Sequence, residues 1–516
     1  MIKDLLHVKP DTADVADICI VGSGAAGIVL AVDLVSRGNS VLMLEAGGFD
    51  IEQESQDPYR SELAGMRHNG IHTGRFRVKG GTTTKWGGQI LELDAIDFEP
   101  RSGIEDSGWP FQKAELASYY KRALELEGLG SVTVKDEEVW REINLTTPAF
   151  ANLEPYFSRW CPEPNFGRLH RRTLEESAAL TLWLHANAVE PIFEGDSMRA
   201  LRCLTLTGTK AIFRANRFVF CLGAIESSRF FLQPREGSMP WHRSGLLGRH
   251  FQDHIDVNAA AVEPLNRKLF HLHFDNVFSR GYKYHPKLRL APAQQTAAGT
   301  LNVAATMNFV SDVDDTLGQL KATSKNLLRG RVRDVKVKDV ALAAHNLQLL
   351  TRQIARYSLQ HRVYNHPEAR IFLRVHCEQE PTSRSSITLS RDRDALGLFR
   401  TRLDWQISDR EIASVRSYVT AAEQSLKGVA RIHPDPHLLS GSPDFITRCD
   451  DSNHHMGGMR MSASPERGIV DPNLLLHGLT NTYVCSAAVF PTSGFSNPTH
   501  TLLALAVRLS EHLSLS

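Results

Sequence analysis

Asp17-Ile18-Cys19-Ile20-Val21-Gly22-Ser23-Gly24-Ala25-Ala26-Gly27, then an apolar helical stretch, then Ser40-Val41-Leu42-Met43-Leu44-Glu45-Ala46-Gly47-Gly48, has the pattern of a dinucleotide-binding βαβ unit. Ile18, Ile20 and Val21 read as a short buried strand, and Ile28 to Val35 as the helix, ended by Arg37-Gly38-Asn39. Gly22 allows the tight turn, Gly24 lets backbone approach a pyrophosphate, and Gly27 lets the helix lie close on the strand. Ser23, Ala25, Ala26 and Ala46 belong to the same turns and are candidate cofactor contacts. The phosphate charge is expected at the helix N-terminus, and Glu45 is placed to accept both ribose hydroxyls. At this point the cofactor is open between NAD and FAD.

The 516 residues exceed one simple core, and 42% hydrophobic with 23% charged residues are ordinary values for a globular chain. A net charge of +1 gives no global reason to expect nucleic acid or an acidic partner. The first residues lack a signal-peptide pattern and nowhere do about 18 uncharged apolar residues run together, so the expected location is cytoplasmic. Seven scattered cysteines, an odd number with no CxxC pair, indicate buried thiols and no metal site.

Val78 to Gln89 carries too many glycines for a helix or regular strand and is expected to be a loop whose backbone closely approaches another group. Strand, glycine turn and helix recur near Leu180 to Leu232, where Arg217-Phe-Val-Phe-Cys221-Leu-Gly223-Ala224-Ile225-Glu226 reads as a buried strand meeting a helix. Between about 256 and 445 the apolar period becomes two, in Leu301/Val303/Ala305/Met307/Phe309, Ile371/Leu373/Val375 and Leu403/Trp405/Ile407, predicting an antiparallel sheet with one covered face. Two helical stretches, about Leu317 to Leu328 and Val340 to Leu359, interrupt it. The expected fold class is α/β, a discontinuous Rossmann-like domain over 10–95, 180–260 and 450–516. An α+β substrate domain over 96–179 and 261–449 is inserted in it, with a helical insert near 315–360.

Two polar clusters close the chain: Asn453-His454-His455-Met456-Gly457-Gly458 and Ser496-Asn497-Pro498-Thr499-His500. Asn497 has the signature of an N-cap and Pro498 that of a first helical residue, aiming the positive end of the last helix at whatever precedes it. A histidine facing that spot is suited to general base catalysis, because neutral imidazole dominates above pH ~6.5. His500, one turn on, is a candidate for the same pocket, with the helix exterior as its alternative.

The opening fingerprint, Gly80-Gly81-Thr82-Thr83-Thr84-Lys85-Trp86-Gly87-Gly88, Cys221 to Glu226, Gly248-Arg-His-Phe-Gln-Asp253-His254, His454-His455-Met456-Gly457 and Asn497-Pro498-Thr499 together resemble the glucose-methanol-choline (GMC) oxidoreductases. The order holds over most of the chain, least clearly in the middle insert. The resemblance implies FAD held by Gly22, Gly24, Gly27 and Glu45, by the second glycine loop from Gly80 to Gly88, and by Val189, Cys221, Gly223, Ser486, Asn497, Pro498 and Thr499. It further implies oxidation of an alcohol by a His/Asn pair, His454 as base with His455 as the alternative, and Asn497 orienting the substrate oxygen. Two departures stand out. The family's Gly-Thr-x-x-Met run is Gly457-Gly458-Met459-Arg460-Met461 here, and Lys85 replaces the histidine that bonds flavin covalently in some sugar-oxidising relatives, so the FAD is expected to be non-covalent.

Cys161-Pro-Glu-Pro-Asn-Phe-Gly167-Arg168, Arg384-Ser-Ser-Ile-Thr-Leu-Ser390 and Lys85-Trp86 are similar to segments of the bacterial sugar- and glycoside-oxidising branch. A sugar, glycoside or polyol is the expected substrate, and oxygen, a quinone or a redox protein the electron acceptor. A lyase of the same fold, oxidation of a non-sugar alcohol in a biosynthetic pathway, and an NAD enzyme are the alternatives. Lys321, Lys325, Arg329, Arg331, Arg333, Lys336 and Lys338 form a basic stretch within 321–338, read as a solvated helical face or as a peripheral contact with an anionic partner or membrane surface.

Overall fold

The computed structural model describes residues 1–9, 12–105, 107–237, 239–328 and 337–515, except for the side chains of 324–328, 337 and 340. Its first sheet runs Ile2–Asp4, Leu180–Leu184, Val41–Leu44, Thr12–Val21, Lys210–Phe220, Ser197–Leu204, Asn187–Glu194, and Thr482–Val484 joins it on Lys210–Phe220. The five contacts nearest the fingerprint are parallel, whereas Ser197–Leu204 pairs antiparallel with both of its neighbours. Ile18, Cys19 and Ile20 are fully buried, as expected for a parallel sheet covered on both faces. Ala25–Ser36 supplies one cover and lies against the last helix, Pro498–Leu515, which in turn holds Ala117–Leu126.

The second sheet orders Ala430–Pro434, Ile255–Pro264, Arg370–Cys377, Val303–Val310, Tyr282–Leu290, Leu153–Trp160 and Gln89–Ile90. Every pair in it is antiparallel. Its apolar face packs on the helix Asp409–Leu426, which opens with a Ser408/Glu411 capping box and turns Val415, Tyr418, Val419, Ala422 and Leu426 inward. Each fully buried Val or Leu there contributes about 1.5–3 kcal/mol relative to an exposed one. The capping box is a sequence signal for this helix.

Several segments sit elsewhere than expected. Ile2–Asp4 extends the first sheet ahead of residue 10, and Ala117–Leu126 packs on the last helix although it falls within 96–179. Gln89–Ile90 and the part of Ile255–Pro264 up to residue 260, expected with the cofactor domain, pair into the second sheet. Leu403 and Trp405 belong to a separate three-stranded unit, Ser386–Arg393, Phe399–Asp404 and Glu62–Leu63, or follow directly on it. Periodicity reports which face of a strand is apolar and is silent about its partner, which explains these differences. The second helical stretch is two helices, Val337–His345 and Leu347–Gln360, following Asp314–Leu328. Of the basic stretch, Lys321 and Lys338 are exposed, while Arg329, Arg331, Arg333, Lys336 and the side chain of Lys325 lie outside the described residues. No described helix is long and apolar enough to cross a membrane.

Candidate active site

An open cleft runs along the C-terminal edge of the first sheet. Gly22, Ser23, Gly24, Ala25, Ala26, Glu45, Ala46, Gly81, Thr82, Thr83, Trp86, Cys221, Gly223, Ser486 and Thr499 line it. The glycine loop forms a short 3-10 turn, Gly81–Thr84, preceded by Gly80 at φ +98°. The group it approaches is the first glycine turn. A Cβ on Gly81 would stand 2.8 Å from Gly24 Cα, and Gly80 N–H donates to the Ser23 carbonyl at 3.1 Å. Glu45 is buried, with Oε2 accepting from Ser23 N–H (3.0 Å) and Oγ (2.6 Å), and Oε1 from Gly47 N–H (2.9 Å). Burial raises its pKa, opposed by these hydrogen bonds and by Arg77.

Other expected contacts fall outside the cleft wall. Val189 is buried in its strand while Ala186 and Ala188 line the cleft instead, since alternate strand residues face opposite ways. Gly27 packs its helix against the Gly22 carbonyl, and Gly87 and Gly88 back onto Trp160 and Pro164. Lys85 is exposed. Sequence reasoning missed Tyr59, Arg77 and Arg229, which line the cleft. The only local signal for Arg77 was its place just before the glycine loop. Arg77 Nε is buried without a hydrogen-bond partner, and Gly24 and Gly223 have open space where a Cβ would be. Backbone bared by glycine beside a guanidinium with an unpaired Nε–H fits a pyrophosphate-bearing cofactor.

Beyond the cleft, where the Pro498–Leu515 helix begins, His454 and Asn497 meet. Asn497 Nδ2 donates to His454 Nε2 at 2.9 Å, so the proton of the neutral ring sits on Nδ1. Nδ1 faces His254 Nδ1 at 2.9 Å, and His254 Nε2 lies 3.4 Å from the Ser493 carbonyl. Each proton in this chain has an acceptor, which leaves the lone pair of His454 Nε2 on the Asn497 side. Burial holds the pKa of His454 well below the usual histidine value, helped by the Lys287 ammonium and by the neighbouring rings of His254 and His376, which could not share a second positive charge.

Asp253 holds the two loops together. Its Oδ1 accepts from the N–H groups of His254 (2.7 Å), His454 (2.9 Å) and Ser452 (3.2 Å), and its Oδ2 lies 3.1 Å from His68 Nε2. His68, Asp253 and His455 bring ligand-type atoms within 4.8 Å, but both carboxylate oxygens are occupied by hydrogen bonds. His455 turns away from Asn497 toward His68 and Phe251, so the structure pairs only His454 with the amide. His500 also faces elsewhere, forming a buried ion pair with Glu127 at 2.8 Å and contacting Tyr120. Gly457 and Gly458 both have positive φ, and a Cβ on Gly458 would run into Ser228 Oγ. The left-handed backbone and that contact together disfavour a β-branched threonine at this position.

The family model described as GMC oxidoreductase matches residues 381–506, the region that carries both His454 and Asn497. In this region the chain is similar to the GMC oxidoreductases. Over 96% of its length and 92% of the relative's, the chain is 25% identical to paromamine 6'-oxidase of Streptomyces fradiae. It is 21% identical to 2-methyl-1,2-propanediol dehydrogenase of Mycolicibacterium austroafricanum over 98% of its own length and 96% of the other's. Among solved structures, pyridoxine 4-oxidase from Mesorbium loti superposes with TM-score 0.59 at 19% identity, covering 96% of this chain and 99% of that one. The fold is therefore the one seen in that oxidase, a cofactor domain with a substrate domain, and the glycine turns, Glu45 and Arg77 of the cleft fit FAD as the cofactor.

The low pKa of His454 has a measurable consequence for its expected role as base. A base must be neutral to accept a proton, so activity that depends on His454 in that role is lost as pH falls through its pKa. The kcat/KM for flavin reduction is expected to stay level down through pH ~6.5 and to decline only at more acidic pH. A half-loss near 6.5 or above would contradict the buried environment described for His454.

Proposed function

We propose that the chain oxidises an alcohol group of a sugar, glycoside or polyol to a carbonyl. The observation that carries this reading is the aligned Asn497–His454–His254 chain, with the acceptor nitrogen of His454 on the side of the Asn497 amide. Names of the relatives point the same way, to oxidases and dehydrogenases of hydroxylated compounds.

The substrate hydroxyl binds between Asn497 and His454. The Asn497 amide donates to the alcohol oxygen and orients it, while His454 Nε2 accepts its proton. His254 shares the proton on Nδ1 of the resulting imidazolium and Asp253 keeps both loops in place, so His454 needs no reorientation during the step. FAD, when bound, supplies the two-electron acceptor for the hydride leaving the carbon. Gly22, Gly24, Gly81 and the N-terminus of Ala25–Ser36 would hold its pyrophosphate, and Glu45 its ribose. An electron acceptor such as oxygen completes turnover.

Anaerobic mixing of the yellow holoenzyme with a panel of sugars, glycosides, polyols and simple alcohols tests this reading. Bleaching of the flavin band by a sugar or polyol is the expected result, with reoxidation by air or an artificial acceptor. Product formation while the flavin stays oxidised would overturn it in favour of a lyase. With Lys85 in the glycine loop, acid precipitation is expected to release the FAD into the supernatant.

A further inference from the structure

The second sheet has one apolar face on the helix Asp409–Leu426 and one polar face toward His454. Register places Asp256, His376, Ala304 and Arg289 in one cross-strand row. His254 lies two residues before Asp256, and Lys287 and His285 lie two and four residues before Arg289, so all share the polar face. Tyr156 stands opposite Lys287 and Ser158 opposite His285. The Tyr156 ring packs on Phe495 at 5.8 Å, which precedes Asn497 by two residues. The polar face therefore forms the wall across from the His454/Asn497 pair.

The charges on this wall do not balance. Asp256 is bound by Arg374, Nε to Oδ1 at 2.7 Å, and Arg289 pairs with Asp94 at 2.6 Å and Glu154 at 2.9 Å. Lys287 is 8% exposed, yet among the described residues no carboxylate reaches its ammonium within ion-pair distance and no hydrogen bond is made to it. Beside it the Tyr156 hydroxyl and His285 Nδ1 are buried without hydrogen-bond partners. Two buried polar atoms without hydrogen-bond partners beside an ammonium without a counter-charge are costly to a fold, and such groups collect where a ligand satisfies them. Burial lowers the Lys287 ammonium to about 8, so it remains mainly charged at neutral pH. The phenol, its pKa raised by burial, stays a neutral donor, and burial likewise keeps His285 neutral.

We propose that Lys287, Tyr156 and His285 form an anion subsite, and that the substrate is a hydroxylated compound carrying a carboxylate or phosphate away from the alcohol that His454 deprotonates. This rests on the reading of His454 and Asn497 as the alcohol site. An acceptor-only anion fits an ammonium, a phenol and an imidazole N–H, whereas a cationic substrate would meet an unpaired positive charge.

The test uses holoenzyme with glucose, glucuronate and glucose 6-phosphate as probes, alongside Lys287→Met, Lys287→Arg and Tyr156→Phe. The ratio of kcat/KM for a charged over an uncharged probe is expected to fall about tenfold to hundredfold in Lys287→Met and to be largely kept in Lys287→Arg. Preference for glucuronate identifies a carboxylate and preference for glucose 6-phosphate a phosphate; preference for glucose over both overturns the proposal. Equal losses on charged and neutral probes in Lys287→Met would also overturn it. A binding arm stands apart from alcohol oxidation: acetate and inorganic phosphate titrated into holoenzyme should perturb the flavin spectrum in wild type and lose that effect in Lys287→Met. If no probe is oxidised but this difference is seen, the subsite stands while the reading of the alcohol site fails; anion binding that persists unchanged in Lys287→Met sinks the subsite. Lys287→Met should also melt at higher temperature, because removing an unpaired buried charge relieves the fold.

Discussion

His454→Ala is expected to bind FAD as wild type does and to slow anaerobic flavin reduction by about 10²–10⁴-fold, the range for loss of a positioned general base. The ring lies outside the cofactor cleft, and its removal leaves Asp253 still bonded to the backbone N–H of residue 454. The loop therefore keeps its shape while the proton acceptor disappears. Stopped-flow absorbance gives the rate and the cofactor-to-protein absorbance ratio gives the occupancy. His455→Ala serves as the comparison, since its ring faces His68 and Phe251 and not Asn497. If His454→Ala reduces at the wild-type rate, or if His455→Ala suffers the larger loss, the proton acceptor has been misassigned.

Gly27→Ala is expected to lose most bound FAD on gel filtration and to be destabilised by about 1–3 kcal/mol, the usual cost of forcing atoms into a packed interior. A methyl group there would overlap the backbone carbonyl of Gly22, and neither partner is a flexible side chain. The helix Ala25–Ser36 would have to rise from the strand Thr12–Val21, displacing the turn between them. Gly24→Ala separates folding from cofactor binding, because nothing lies within 4 Å of its added Cβ and the residue has φ −76°. It should melt near wild type without cofactor yet bind FAD more weakly, since its methyl would intrude where backbone approaches the pyrophosphate. Differential scanning fluorimetry of apoprotein with FAD titration reads both effects. A Gly27→Ala protein with normal melting and full FAD content would remove the packing argument.

The two glycine loops illustrate what is legible locally. Their composition demanded close backbone approach, but that each is the other's neighbour, with Gly81 against Gly24, follows from a fold that brings residues 57 positions apart together. His500 shows the opposite case: its place one turn past Asn497 suggested the pocket, whereas Glu127 and Tyr120 from a distant helix draw it to the other side. Asp253 and His254 were visible as part of a motif, but a hydrogen bond that His254 accepts from a histidine 200 residues later leaves no periodic trace.

The sequence by itself determined the βαβ cofactor turn, the family resemblance and the residue types of the proposed base and its amide partner, because each depends on short-range backbone geometry or fixed local spacing. Only the tertiary structure decided that His454 and not His455 meets Asn497, and that Lys287 stands unpaired across from them. Those outcomes depend on which strand pairs with which and on the direction a side chain takes from its loop. Strand partners and loop exit angles are set by packing over hundreds of residues, a scale on which local pattern carries no information.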